Sequence, residues 1–357
     1  MRKPQRIQLE FEDLSLIKIM QDEYFYRPLL DLVDFQQLME PYRHIYSNLG
    51  RSSYPIETGI KCMLVQIFED KSDREMELMI RFDLRIRFFC GFGLNEITPD
   101  HCYFGRFRER LGDENIEKIH NHIVDILRKN GMVGDIYSFI DTTQIVRKNN
   151  TCKERDKKIE EELKKKQMNT PLLNNEPLKK RFELKRTKGL LNNGNISMFS
   201  ADPDARTGCK GDDKFWFGYK RGVNVDSRLG IITKVAVEPA NLLDHQMVGQ
   251  LFPPTGAVFM DKGFDVDEVY KNVPEDIILR IIKKNNRADK NRDFDRWISR
   301  CRSPFESVFS QLEKRTKYIG LRKNRFKGLI DAIAYNLAIV LRAKERYNDK
   351  FKKLSIA

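Results

Sequence analysis

The chain has 357 residues, of which 40% are hydrophobic and 33% charged, and it carries a net charge of +13 at pH 7. This length predicts two domains, and the hydrophobic fraction is large enough to bury at least one sizeable core. The apolar stretch "LIDAIAYNLAIVL" contains Asp331 and Asn336 and is too short to span a bilayer. The N-terminus lacks the apolar core of a secretory signal, so we expect a soluble cytoplasmic protein.

The basic charge predicts the class of partner. An excess of this size favours polyanions, most often nucleic acid, although an ordinary basic protein would show it too. The cysteines argue against a zinc site or a disulfide framework, because no two of them form a CxxC pair. They lie at positions 62, 90, 102, 152, 209 and 301. In an intracellular chain of this size we expect reduced, packed thiols.

The first clear pattern in chain order is helical and covers residues 55–131. The stretch "PIETGIKCMLVQIF" places its apolar residues on one helical face. "SDREMELMIRF" opens with a serine and a glutamate at the spacing of a capping box. "TPDHCYFGRFRERLG" predicts a helix that ends at Gly112, and apolar periodicity predicts another at about 113–130. We therefore expect a helical N-terminal domain over residues 1–131.

A strand pattern follows the helical one. Runs of β-branched and aromatic residues predict five strands, at 135–146, 215–226, 230–241, 256–265 and 276–284. A short helical stretch separates the third strand from the fourth, and longer helical patterns follow at about 304–318 and 325–347. This order predicts a mixed α/β domain over residues 132–347, followed by a basic tail at 348–357.

A lysine-rich stretch interrupts the α/β domain at about 147–200. It contains few large apolar residues, so it does not supply the hydrophobic surface of a packed element. One interpretation is a solvated helical insertion or a partly disordered loop. The other is a basic arm that lies over nucleic-acid phosphates. The sequence leaves both open.

Two aspartates adjoin predicted buried strands. Asp141 follows Phe139 and Ile140 in the first strand, and Asp261 directly follows the apolar run "AVFM". A carboxylate next to a buried run is costly unless it is solvated, paired or bound to a metal ion. Ligands also bind at the strand ends of α/β sheets. Each aspartate alone could equally be a turn or cap at the end of its strand.

Glu306 follows Ser303 and Pro304 at the spacing of a helix start. A serine cap, a proline in the first turn and a glutamate at the third helical position form a capping box. The apolar residues Phe309 and Leu312 could also hold this first turn against the sheet. Glu306 could then point at the strand ends, and capping would not exclude metal binding because a carboxylate has two oxygens.

Three carboxylates gathered at one place would repel each other without a cation. Oxygen ligands suit hard ions such as Mg²⁺ or Mn²⁺. Two such ions can stabilise the attacking and leaving oxygens of a phosphoryl displacement. Composition and spacing alone therefore indicate no more than a candidate metal-dependent nuclease.

The sequence resembles the DDE transposases of bacterial insertion sequences. The resemblance covers most of the chain. Its motifs occur in the order of the family, from "SDREMELMIRFDLRIRFFCGF" and "TPDHCYFGRFRERLG" through "FIDTTQI", "DPDARTG", "FGYKRGVNVD" and "VEPANLLDHQM" to "FMDKGFD" and "RCRSPFESVFSQLEK". It implies a mixed five-stranded, RNase H-like catalytic core with flanking helices, preceded by an all-α N-terminal domain.

The resemblance also implies roles for particular residues. Asp141, Asp261 and Glu306 match the three catalytic acids, which would hold two Mg²⁺ or Mn²⁺ ions. Arg302 matches a basic residue four positions before the glutamate. Some relatives carry a tyrosine three residues before this arginine and a lysine seven residues after the glutamate. Here those positions are Ser299 and Glu313, with a lysine at 314. His245 follows the strand hairpin, as in relatives, although a structural role fits it better.

The activity implied is cutting and joining of DNA at the ends of an insertion sequence. The partners would be double-stranded DNA, namely the terminal inverted repeats and the target, and a second copy of the chain in the synaptic complex. Such a protein would be cytoplasmic and associated with the nucleoid. Two alternatives are a catalytically silent DNA-binding derivative and an RNase H-like nuclease without strand transfer.

We expect several basic residues to contact DNA phosphates. Arg302, Lys262 and Lys314 adjoin the predicted acids. The N-terminal domain would bind the element's ends, and "HCYFGRFRERL" is a candidate recognition helix because three alternate arginines follow its start. These are Arg106, Arg108 and Arg110. A solvated basic face is the alternative for this helix.

Overall fold

The computed structural model describes residues 11–46, 53–147, 200–210, 214–346 and 355–356. The expected insertion at about 147–200 lies outside the described residues except at its two ends. The basic tail expected at 348–357 lies outside them except at residues 355–356. Both expectations stay predictions, as does the division of the chain at residue 131.

Helices form the N-terminal region. The apolar periodicity predicts those from residue 55 onward but not the three before residue 47. They are α1 (Phe11–Ile19), α2 (Tyr26–Leu32), α3 (Phe35–Met39), α4 (Ile56–Phe68), α5 (Asp73–Phe82), α6 (Leu84–Cys90) and α7 (His101–Lys129). The predicted capping box of α5 is confirmed, because the Ser72 backbone N–H donates to Glu75 Oε2 at 2.8 Å and Ser72 Oγ accepts from the Glu75 N–H. Gly112 interrupts α7 with φ 72°, a conformation that suits glycine.

A mixed sheet forms the second half of the chain. Its strands are β1 (Tyr137–Arg147), β2 (Arg206–Lys210), β3 (Lys214–Asp226), β4 (Ile232–Pro239), β5 (Gly256–Met260), β6 (Ile277–Ile281) and β7 (Arg315–Thr316). The central order is β4–β3–β1–β5–β6, and β3 runs antiparallel to the other four. This is the arrangement of the RNase H-like fold, so the predicted fold class is confirmed.

The sheet contains two strands that the sequence did not predict. β2 pairs with the first part of β3, and β7 pairs in parallel with the end of β1. Because β3 occupies one side of β1 up to Val146, β5 and β7 both lie on the other side of β1. Asp141 therefore lies between the part of β1 that pairs with β5 and the part that pairs with β7.

Helices complete this half of the chain. They are α8 (Asp244–Met247), α9 (Asp267–Lys271), α10 (Arg292–Arg302), α11 (Glu306–Gln311) and α12 (Leu321–Arg346). The helix expected at about 304–318 corresponds to α11, which ends earlier, at Gln311, and a helix that was not expected precedes it. α10 already begins at Arg292, where Asn291 accepts hydrogen bonds from the N–H groups of Asp293 and Phe294. None of the described helices is both long and apolar enough to cross a bilayer.

One hydrophobic core joins the N-terminal helices to the sheet domain. Residues of α2 to α7 pack with the apolar face of α12, which includes Phe326, Ile333, Leu337 and Leu341. Ile231, at the start of β4, belongs to the same core. The C-terminal helix therefore packs against the N-terminal helices and against β4, which fixes the two halves of the described chain to each other.

Candidate active site

Asp141 and Asp261 are neighbours because their strands are parallel and in register. Phe139 pairs with Phe259, and Ile140 pairs with Met260. One residue further along, Asp141 and Asp261 follow on adjacent strands, which lie about 4.8 Å apart in a sheet. Since alternate side chains share a face, each aspartate lies on the same face as the phenylalanine two residues before it.

α10 packs on this face and carries a basic residue to the two carboxylates. Ile298 is fully buried against Phe139 and Phe259. Phe305, just after α10, stacks on Phe139 with ring centroids 4.3 Å apart and an interplanar angle of 22°. Arg302 lies one helical turn beyond Ile298 and therefore on the same face of α10. The packing of these four aromatic or aliphatic side chains thus sets where the guanidinium lies.

Arg302 bridges the two aspartates. Its Nη2 lies 2.9 Å from Asp141 Oδ2, and its Nη1 lies 3.7 Å from Asp261 Oδ1. Only 13% of the Arg302 side chain is exposed. Each carboxylate also accepts a backbone hydrogen bond, from the N–H of Thr142 at 2.8 Å and of Lys262 at 2.7 Å respectively. The guanidinium therefore compensates two neighbouring negative charges.

The electrostatics of Asp141 favour a cation beside it. Burial raises the pKa of the Asp141 carboxyl above its ordinary value, and the negative charge of Asp261 acts in the same direction. The Arg302 guanidinium, the Thr142 N–H and the Lys210 charge lower this pKa without reversing the shift. A carboxylate in this setting gains stability from each positive charge placed near it.

Glu306 begins α11 and is exposed. The expected capping box of Ser303 and Glu306 is wrong. Ser303, Pro304 and Phe305 form one 3₁₀ turn that continues from α10, and no side-chain hydrogen bond caps this turn or α11. Because the chain is already helical when it reaches Ser303, the backbone N–H groups there do not need a serine cap.

The structure brings together two of the three predicted acids, together with Arg302. Among the residues that the structure describes, no three His, Cys, Asp or Glu side chains are close enough to hold one metal ion. Phe305 stacks beside Asp141's strand and directly precedes Glu306, so the start of α11 lies next to this site. The role of Glu306 as a third ligand stays a prediction.

The other predicted basic residues have different surroundings. Lys262 is exposed in the 3₁₀ turn that follows Asp261. Lys314 is also exposed, and its carbonyl oxygen accepts a hydrogen bond from the Val146 N–H at 2.8 Å. Both side chains are therefore accessible to a ligand. His245 pairs with Glu268 at 3.3 Å.

The three arginines at the start of α7 do not form one row. Arg106 is exposed and lies 3.4 Å from Asp100. Arg108 is only 10% exposed and pairs with Asp73 at 2.5 Å. Arg110 lies over the ring of Tyr46, with 4.9 Å between its Cζ atom and the ring centroid. Arg106 and Arg110 are thus exposed, whereas Arg108 is not.

Two contributors to the site were not identified from the sequence. Lys210 acts on the Asp141 carboxyl from β2, a short strand whose residues "RTGCK" carry no alternating apolar pattern. Phe305 reads as one apolar residue of a helix start, and nothing local indicates that it stacks on Phe139. The stacking partners lie far apart in the chain, so only the tertiary structure reveals them.

Two family models match the chain, and both describe transposase domains. Residues 14–110 match the family model "Transposase domain (DUF772)", and residues 182–337 match "Transposase DDE domain". The chain is also similar to a piggyBac transposase synaptic complex with hairpin DNA, determined by cryo-EM. That match has a TM-score of 0.38 and 10% sequence identity, and it covers 98% of this chain and 79% of the other. No curated protein matches the sequence. The two family models together span more than half of the chain.

Proposed function

Because this chain belongs to the DDE transposases of insertion sequences, enzymes that cut and join DNA, we propose that Asp141, Asp261 and Glu306 hold the divalent metal ions of that reaction. Members of this family generally use divalent metal ions. The oxygen-only set of ligands favours Mg²⁺ or Mn²⁺. Two ions are proposed because the attacking and the leaving oxygen each need one.

The observation that carries this proposal is the bridge made by Arg302. Its guanidinium lies between Asp141 and Asp261, 2.9 Å from one carboxylate and 3.7 Å from the other. The two side chains thus already share one cation, and each has oxygen atoms suited to a hard metal ion. The donor set fits the metal ions that the family uses. Glu306, exposed at the start of α11, would complete the set.

Bound ions would lower the pKa of an attacking water and stabilise the leaving oxygen of a phosphodiester. At the element's end, the water oxygen attacks phosphorus, the P–O3′ bond breaks, and the released 3′ oxygen takes a proton. The resulting 3′-hydroxyl then attacks a target phosphodiester, which forms one P–O bond and breaks another. These two reaction steps need no covalent enzyme intermediate.

Residues of this chain have further roles in the proposal. Arg302 holds the two aspartates together before a metal ion binds, and it then turns to a phosphate of the DNA. The exposed side chains of Lys262, Lys314 and Arg106 contact phosphates. The DNA partners are the terminal inverted repeats and the target site, and two copies of the chain assemble for synapsis. Since its substrate is DNA, the protein works in the cytoplasm at the nucleoid.

The test is cleavage of plasmid DNA that carries the element's ends, in Mg²⁺ or Mn²⁺. We expect the wild type to nick and join this DNA. Asp141→Asn, Asp261→Asn and Glu306→Gln should each slow nicking by about 100-fold or more, because each removes the charge of one proposed metal ligand. Each 1.36 kcal/mol of transition-state stabilisation that is lost slows the step tenfold. Glu275→Gln, which changes an exposed glutamate of the same domain, is the matched control and should nick normally.

The outcomes separate the alternatives. DNA binding without cleavage by the wild type would favour a catalytically silent derivative. Cleavage without joining would favour a nuclease. Full activity of the Glu306→Gln variant would remove Glu306 from the proposed set while leaving the two aspartates in it.

A further inference from the structure

A groove of about 1380 Å³ lies between the N-terminal helices and the sheet domain. One wall consists of the end of α4, the start of α5 and the start of α7. The other wall consists of residues 310–319, which include β7, and of one side of α12. The groove therefore lies where the two matched transposase domains meet.

The acidic residues that line the interior of the groove are paired. Asp73 pairs with Arg108 at 2.5 Å. Lys327, which is largely buried, contacts both Glu313 and Asp331, and its distance to the glutamate is 2.9 Å. Asp331 also pairs with the buried Arg221 at 2.9 Å, so three acids face three bases. Because these charges neutralise one another, the interior of the groove does not repel a bound anion.

The rim of the groove carries an excess of positive charge. Lys323, which is exposed, pairs with Glu109 at 3.0 Å. The other exposed cations are Lys71, Arg74, Lys314, Arg315, Lys317 and Arg342. None of the six makes an ion pair within 4 Å to another residue that the structure describes. Of the acidic residues lining the groove, only Asp70 is exposed. Such a rim suits a regularly spaced series of negative charges.

The interior surface between these cations is partly aromatic. Tyr318 is half-buried there, and the Arg108 guanidinium lies over its ring at 5.1 Å. Tyr335 and Phe326 line the groove beside it. Basic rims around aromatic surface are typical of sites that hold a nucleic-acid strand, with phosphates on the cations and sugars or bases on the rings.

The groove lies close to Glu306, the predicted third acid. Ser310, which lines the groove, lies four residues after Glu306 in α11. At about 1.5 Å of rise per residue, the two are about 6 Å apart along the helix axis. β7, in the groove wall, also lies on the same side of β1 as β5, which leads into Asp261. A strand that extends from the groove past Ser310 would thus approach Glu306.

We propose that this basic groove binds the phosphate backbone of the DNA strand that the Asp141–Asp261 site cuts. The inference rests on the proposed function, since it assigns a path to that function's substrate. It adds an interaction surface made by both domains, with four named rim residues, Lys71, Arg74, Lys317 and Arg342, outside the predicted site.

The test measures DNA affinity without catalysis. A groove variant, Lys71→Gln/Arg74→Gln/Lys317→Gln/Arg342→Gln, is compared with a control of equal charge change. The control carries Lys18→Gln/Lys118→Gln/Lys129→Gln/Lys271→Gln, four exposed lysines outside the groove. The Kd for element-end DNA is measured in EDTA by fluorescence anisotropy, over a range of salt concentrations. Both duplex and single-stranded DNA are used as probes.

The groove variant should bind at least about 10-fold more weakly at 0.1 M salt. The slope of log Kd against log salt should fall by about 3 to 4, because each lost phosphate contact removes about 0.9. The control should bind DNA with the affinity of the wild type. Its slope should differ from that of the wild type by no more than about 0.9, the value of one phosphate contact. Whether duplex or single-stranded DNA shows the larger change identifies the form that occupies the groove.

A second measurement uses Cys102, an exposed cysteine in the groove wall. DNA should slow its alkylation by N-ethylmaleimide several-fold, measured by peptide mass spectrometry on the wild type. This result does not depend on the folding of any variant. Unchanged alkylation together with unchanged affinity of the groove variant would overturn the proposal.

The failures of the two proposals can be distinguished. If the groove variant binds DNA as the wild type does, while nicking still requires Asp141, the groove assignment fails and the function stands. If the wild type binds DNA through the groove but never nicks it, the function fails and the groove stands. If the groove variant instead changes the oligomeric state in light scattering, without changing DNA affinity, the groove is a protein interface and the proposal is overturned.

Discussion

Replacing His120 by glutamine should change how the stability of the protein depends on pH. His120 lies in α7 and is 1% exposed, and its Nε2 lies 3.1 Å from the carbonyl oxygen of Ile232 at the start of β4. Burial lowers the pKa of this imidazole from 6.5 to about 4, and the charge of Lys234 acts in the same direction. Hydrogen bonds to Ile232 and Asn121 oppose the shift. The folded protein therefore keeps His120 neutral, with Nε2–H as the donor.

The sign of the effect follows from which state binds the proton first. As the pH falls below 6.5, the unfolded chain takes up a proton that the folded protein does not, so the free energy of unfolding decreases. The decrease is complete below pH 4, where both states are protonated. A shift of about 2.5 pKa units corresponds to about 3 kcal/mol in total, and about 2 kcal/mol of it is lost between pH 7.5 and pH 5.

The assay is urea unfolding of the wild type and of His120→Gln at pH 7.5 and at pH 5. Other groups titrate in both proteins, so the informative quantity is the difference between the two pH dependences. The wild type should lose about 2 kcal/mol more than the variant. The glutamine amide can still donate to Ile232, which limits the stability lost at pH 7.5. Equal losses in the two proteins would refute the assignment of a neutral, buried His120.

Two further predictions concern a buried ion pair and the packing at one glycine. Asp331→Ala should lower the free energy of unfolding by about 3 to 5 kcal/mol, because it leaves Arg221, 1% exposed and 2.9 Å from that carboxylate, as a buried charge without this partner. In urea unfolding, the double variant Arg221→Met/Asp331→Leu should recover much of the loss. Gly59→Ala should be destabilising by about 1 to 3 kcal/mol despite the higher helix propensity of alanine, since its Cβ would lie 2.2 Å from the Phe107 ring. A Gly59→Ala protein as stable as the wild type would contradict this packing.

The fold was predictable where hydrophobic pattern and fold agree. β1 and β5 carry apolar runs, so both strands were recognised from the sequence, together with the aspartates that adjoin them. α10 was missed because most of "RDFDRWISRCR" is polar, and only Asp295 and Ile298 are buried. β2 and β7 were missed because their strand conformation depends on pairing with β3 and β1, which sequence periodicity does not report.

Part of the candidate site was predictable from the sequence, whereas Lys210, Phe305 and the charge pairing were not. Apolar runs indicated Asp141 and Asp261, and the resemblance to a family indicated Glu306 and Arg302. The bridge from Arg302 to both aspartates depends on where α10 lies on the sheet, and that position is set by Ile298 and two distant phenylalanines. The sequence therefore assigned Arg302 to phosphates, whereas in the structure it pairs with the acids.

The continuity of the core determines how the groove relates to the site. α4, α5 and α7, which form one wall, pack in the same hydrophobic core as α12, which forms part of the other. The His120 side chain connects α7 to the carbonyl oxygen of Ile232. The Asn336 side chain connects α12 to the same residue, because its Oδ1 accepts a hydrogen bond from the Ile232 N–H at 2.8 Å. A close-packed core allows little relative movement of the helices and strands that it joins. A DNA strand held by the groove would therefore take a fixed register relative to Asp141, which is the condition an in-line displacement at one chosen phosphodiester requires.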